Sequence, residues 1–153
     1  MMHKMVNGLL SNLRCLEELR MNCYVENSTL GILGQSCPKL KHLNISGSKG
    51  VTNQGIFHLC PGHIPEAGCC TNIEYLDVSN TGVGLMGGVH ALASLPKLKV
   101  LKHNCTYSVI KAFRERHKSK SLPCLQVLQI TELPFRARFA TSEHLKNVRI
   151  FPN

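Results

Sequence analysis

One short apolar pattern constrains this chain more than any other feature: two apolar residues three apart, then a third two positions further on. It recurs six times, as Leu16-x-x-Leu19-x-Met21, Leu40-x-x-Leu43-x-Ile45, Ile73-x-x-Leu76-x-Val78, Leu98-x-x-Leu101-x-His103, Leu125-x-x-Leu128-x-Ile130 and Leu145-x-x-Val148-x-Ile150. The first positions are spaced 24, 33, 25, 27 and 20 residues apart. Apolar residues two apart line one face of a strand, and a short strand with one apolar face cannot bury it alone. Stacking such units side by side gives a continuous interior, which is what repetition at this period means physically.

Parallel stacking requires each strand to return to the same edge, through a crossover of about a dozen residues or more. The intervals supply that length. Thr52 to Leu59 opens on a residue suited to capping a helix and carries Ile56 and Leu59 three apart. Leu85 to Leu95 repeats the scheme through Val89, Leu92 and Leu95, and Tyr107 to His117 through Val109, Ile110 and Phe113. The expected fold class is therefore α/β, with Leu40, Leu43, Ile45, Ile73, Leu76, Val78, Leu98, Leu101, Leu125, Leu128 and Ile130 buried along one parallel sheet.

Cys37-Pro38-Lys39-Leu40-Lys41-His42-Leu43-Asn44-Ile45, followed by Val51-Thr52-Asn53-Gln54-Gly55-Ile56, resembles the cysteine-containing leucine-rich repeat. Leu95-Pro96-Lys97-Leu98 and Leu122-Pro123-Cys124-Leu125 repeat its opening. The resemblance implies a leucine-rich repeat solenoid, a curved parallel sheet with helices on the convex side. It implies one array over 1–153, about six repeats starting near 16, 40, 73, 98, 125 and 145, with an insert at 61–67. Repeats of this kind commonly form the substrate-recognition arm of F-box subunits in SCF-type ubiquitin ligases. That implies a protein partner, and an adaptor reached through regions other than this pattern, since no F-box is recognisable. Only Met5 to Leu13 precede the first repeat and three residues follow Ile150, so a piece of a longer array, or a short protein that docks its ends on something, is expected.

Lys and Arg total 18 against 9 Asp and Glu, a net charge of +9, and 43% of residues are hydrophobic, enough for a core. No apolar run approaches the length of a membrane span. The opening MMHKMVNGLLSNL, interrupted by Asn7 and Gly8, makes a poor secretory signal. These readings predict a cytoplasmic protein, the nucleus being the other compartment, with its eight cysteines reduced. Cys15, Cys23, Cys37, Cys105 and Cys124 sit in apolar stretches and are expected to be buried. Three Asn-x-Ser/Thr triplets, at Asn27, Asn44 and Asn104, would stay unmodified there.

Several signals for chemistry fail on inspection. Gly82-Val83-Gly84-Leu85-Met86-Gly87 matches the glycine pattern of dinucleotide sites, but no Asp or Glu lies between Gly87 and Arg114 to take a ribose hydroxyl. Cys60, His63, Cys69 and Cys70 are zinc-ligand types, yet their spacing fits no known finger and neighbouring cysteines do not easily share one metal. Nucleophile-elbow, zinc-protease and P-loop motifs are absent, and Asp77 is the only aspartate. A non-enzymatic protein without cofactor or metal is expected. Lys111, Arg114, Arg116, His117, Lys118 and Lys120 form a basic run, whose alternative reading is a nucleic-acid or phosphate site across 111–120. Without interleaved aromatics for base stacking, a solvated helix face is favoured.

A partner is expected on the strand residues that alternate away from the core leucines. The third-position row runs Glu18, His42, Tyr75, Val100, Val127, Asn147, and the fifth runs Arg20, Asn44, Asp77, Lys102, Gln129, Arg149. Tyr75, Val100 and Val127 form an apolar stripe between polar neighbours, so His42, Asn44, Tyr75, Asp77, Val100, Lys102, Val127 and Gln129 are the candidate partner-binding residues.

Overall fold

Each recurrence of the motif becomes a strand of three or four residues. The computed structural model describes residues 2–22, 24–62, 70–117, 127–130 and 149–152, the last two segments by backbone alone. The strands are β1 (Glu18–Arg20), β2 (His42–Asn44), β3 (Tyr75–Asp77), β4 (Val100–His103), β5 (Val127–Ile130) and β6 (Arg149–Pro152). All five pairings are parallel and the strands lie in sequence order, β1 to β6. Leu19, Leu43, Leu76, Leu101 and Leu128 align across the sheet. The parallel sheet and the burial of its apolar row agree with expectation: Leu40, Leu43, Ile45, Ile73, Leu76 and Leu101 are fully inaccessible, and Val78 and Leu98 nearly so. Leu125 lies outside the described residues, as do the side chains of Leu128 and Ile130.

The last strand corrects the predicted register. Ile150 pairs with Leu128, and Arg149 with Val127, where the motif alignment put Val148 and Asn147. A shift of two keeps the alternation of faces, so the apolar pattern alone does not distinguish the two registers.

Between the strands run α1 (Met2–Leu10), α2 (Asn27–Ser36), α3 (Asn53–Leu59), α4 (Leu85–Ser94) and α5 (Thr106–Arg116). Consecutive helices pack on one another, forming a layer against one face of the sheet. The expected helices at 52–59, 85–95 and 107–117 are found within a residue or two. The helix α2 had no such signal: NSTLGILGQS carries two glycines and three residues that compete for backbone hydrogen bonds. It forms because Leu30 and Leu33 are wholly buried against its neighbours. Its Gly34 is a packing requirement, since a Cβ there would fall 2.8 Å from the His58 carbonyl oxygen and 2.9 Å from that of Leu59. Helices α2 and α3 approach that closely.

Three thiols close the helix ends in the core. Cys37 and Cys60 follow the last residues of α2 and α3, and their amides donate to Leu33 and Ile56. Cys70 donates through Sγ to the carbonyls of Leu33 (3.1 Å) and Cys37 (3.3 Å). Burial pushes the Cys37 thiol pKa up, away from the reactive thiolate. Cys15 and Cys105 depart from expectation and are exposed, one in the turn entering the first strand and the other preceding α5. Cys23 and Cys124 lie outside the described residues.

Candidate partner-binding face

With the helices on one side, the alternate residues of β2 to β4 face the other, and no described element covers them. The ring of His42 stacks on that of Tyr75, centroids 5.8 Å apart and planes 14° from parallel. Lys102 reaches across from β4 and places its ammonium 5.6 Å from the Tyr75 ring centre, a cation–π distance. Val100 lies beside Tyr75 in register and is half-buried. The result is a patch of aromatic, cationic and aliphatic surface spanning three strands, with His42 its most open member.

The fifth-position residues behave differently. Asn44 Oδ1 accepts the Ser46 amide at 3.0 Å, and Asp77 Oδ1 accepts the Ser79 amide at 3.0 Å and the Ser79 hydroxyl. Asp77 is only 6% exposed. Both shape the turn leaving their strand, an Asx-type use of a short side chain. Asp77, a candidate contact residue in the sequence, has Oδ1 engaged in this turn. Val127 and Gln129 stand opposite Val100 and Lys102 in the sheet, extending the row, though their side chains lie outside the described residues.

The glycine-rich stretch has a structural explanation. Asn53, the first residue of α3, accepts the amides of Gly84 (2.8 Å) and Gly87 (3.0 Å) on Oδ1, capping the start of the next helix. A Cβ at position 87 would fall 2.6 Å from that oxygen, and one at 82 would fall 2.8 Å from the Val51 carbonyl oxygen. One repeat earlier, Asn27 Oδ1 accepts the Thr52 amide at 2.9 Å and its Nδ2 donates to the Thr52 hydroxyl. There a Cβ on Gly55 would lie 2.5 Å from Asn27 Oδ1. Gly55 and Gly87 make room for an asparagine of the preceding unit, and the Gly84 and Gly87 amides that a pyrophosphate would want are occupied by Asn53.

Cys60 and Cys70 are buried and donate to carbonyls, Cys60 Sγ to Ile56 at 3.2 Å. His63 and Cys69, with most of the 61–67 insert, lie outside the described residues. Among the described residues no three His, Cys, Asp or Glu side chains gather as metal ligands. On α5, Val109, Ile110 and Phe113 turn inward as expected, leaving Lys111 and Arg116 exposed. Lys118 and Lys120 lie outside the described residues. No described helix is long and apolar enough to cross a membrane.

One array escaped the sequence reading. The second position of the first four motifs is Glu17, Lys41, Glu74 and Lys99, alternating in sign from one unit to the next. Lys41 pairs with Glu17 at 2.8 Å and Lys99 with Glu74 at 2.6 Å. Hydrogen bonding to the lysines holds both Glu carboxyls below their usual pKa and raises that of Lys41. The signal was present in register-aligned positions, but a search for apolar periodicity passes over it.

The sequence matches no protein-family model and no curated protein.

Proposed function

We propose that this chain is a leucine-rich repeat solenoid of the cysteine-containing kind, acting as a non-enzymatic interaction module that holds a protein partner on the concave face of its sheet. The setting that fits its resemblance is substrate recognition in an SCF-type ubiquitin ligase, in the cytoplasm. One observation carries the reading of the face: Tyr75, stacked by His42 and capped by Lys102, stands on uncovered sheet surface beside Val100. Tyrosine offers large contact area with few torsions to freeze, and such a residue among adaptable polar neighbours is what interface hot spots are made of.

The experiment is affinity capture with mass spectrometry, followed by measured affinity for the recovered protein. Adaptor or cullin peptides support the ligase setting. Tyr75→Ala weakens partner binding by about 1–3 kcal/mol without unfolding the chain, whereas Lys111→Glu on the exposed side of α5 leaves binding unchanged. The reverse result moves the site to the basic helix, and steeply salt-dependent retention of nucleic acid would then favour the phosphate-binding alternative.

A further inference from the structure

Strands β2 to β4 lie inside the sheet, and around their uncovered face the polar groups divide unevenly between acceptors and donors. The acceptors are committed. Glu18, beside His42 in register, holds Arg20. Glu74 feels the His42 charge but is held by Lys99 at 2.6 Å. Asp77, beside Lys102 in register, is almost fully buried with Oδ1 turned to Ser79. The donors are not committed. Among the described residues the Tyr75 hydroxyl, the His42 ring nitrogens and the Lys102 ammonium have no hydrogen-bond or ion-pair partner; imidazole and ammonium instead lie 5.8 and 5.6 Å from the Tyr75 ring centre. His42 arrives from β2 and Lys102 from β4, on opposite sides of β3. Both faces of the ring are therefore covered, and its hydroxyl edge remains for a ligand. A nucleobase that stacks needs an open aromatic face. A carboxylate needs only donors, and its hydrogen bonds to charged donors are the stronger kind.

We propose that this face recognises an acidic segment of a protein partner, whose carboxylates accept from the Tyr75 hydroxyl and from His42 and Lys102 on either side of it, with an apolar side chain of the same segment lying on Val100. The proposal rests on the reading of the sheet face as the partner-binding surface, and adds the chemistry it selects. The three donors span two strand spacings, about 10 Å, and alternate residues of an extended segment lie about 7 Å apart on one side, so two acidic residues cover the patch. Val100, half-buried beside Tyr75, supplies the apolar contact. The net charge of +9 draws an acidic partner in from a distance.

Fluorescence anisotropy on the full chain, with a short fluorescein-labelled peptide of alternating glutamate and valine, tests this. That peptide binds about tenfold more tightly than its counterpart with glutamine in place of glutamate, and rising salt weakens it. Lys102→Gln and Tyr75→Phe each raise its Kd about three- to tenfold. Lys102→Arg keeps the affinity, Lys111→Gln on α5 leaves it unchanged, and circular dichroism is the same for all four variants. Equal binding of the two peptides, indifference to Lys102→Gln, or dependence on Lys111 overturns the proposal. So does a single-stranded oligonucleotide of equal charge that binds more tightly and loses its affinity in Lys102→Gln. The protein recovered by affinity capture separates this failure from the broader one. A partner weakened by Tyr75→Ala but unmoved by Lys102→Gln leaves the face a binding surface without acidic selectivity, whereas a partner indifferent to Tyr75→Ala removes the surface itself.

Discussion

Asn53 and Gly87 should be coupled so strongly that a substitution changes its effect with its background. The Asn53 oxygen holds two amides at the start of α4, at 2.8 and 3.0 Å, and a Cβ at position 87 would sit 2.6 Å from it and 2.8 Å from Val83 Cγ1. Ordinary contact begins near 3.4 Å, so Gly87→Ala must push away the atom that caps the helix. Overpacking of this kind costs about 1–3 kcal/mol, against which alanine's helix preference over glycine restores about 0.5–1 kcal/mol. The single variant should lose about 1–2 kcal/mol. Asn53→Ala strands two donors and should lose a similar amount, about 1–2 kcal/mol. In the double variant the obstructing oxygen is gone, leaving the Val83 methyl and the Cα of residue 53 at 3.2 Å to give way, so adding Gly87→Ala to Asn53→Ala should cost much less than it does alone. The coupling energy is then about 1 kcal/mol or more. Urea unfolding followed by far-ultraviolet circular dichroism reads it, through a slope of about 1–3 kcal/mol per molar. Equal costs for Gly87→Ala in both backgrounds would refute the capping account of the glycines.

Leu76→Ala, in a site with no solvent access and leucines of both neighbouring strands in register, should cost about 2–5 kcal/mol in the same assay; a loss well under 1 kcal/mol would mean the row is not the core. His103 occupies a core position, with Nδ1 accepting the Cys105 amide and Nε2 facing the Gly84 carbonyl, and burial holds its pKa below the ordinary 6.5. Above pH 6.5 both folded and unfolded chains carry it neutral; as pH falls below 6.5 the unfolded chain takes up the proton first, so stability declines until the lower folded value is passed. His103→Ile should flatten that part of the stability profile, and an unchanged slope would move the acid sensitivity elsewhere. Lys41→Glu places three like charges on adjacent strands at 17, 41 and 74; it should lower the unfolding midpoint at low salt and recover in high salt, whereas a salt-independent loss would point to packing instead.

The rows of leucine were legible because burial on one face of a strand imposes a period of two, and stacking imposes a longer period above it. Both are properties of spacing, which a sequence displays directly. The core from Leu40 to Leu101, the parallel order of the strands and the shared face of His42, Tyr75, Val100 and Lys102 follow from that. What only the tertiary structure decided lies where two units touch. Asn27 and Asn53 read as ordinary polar residues until the next helix start is placed over them, and Gly82, Gly84 and Gly87 match the glycine pattern of a dinucleotide site until Asn53 takes the Gly84 and Gly87 amides. Asp77 carried the same outward parity as Lys102, and its carboxylate nevertheless turned to Ser79, because a short side chain beside a turn meets a backbone amide before it meets solvent. The sixth strand slipped by two residues since parity fixes which face is apolar and says nothing of how far along the strand its partner begins. Periodicity specifies faces; close approach and register are pairwise quantities, and they exist only once the second partner is in place.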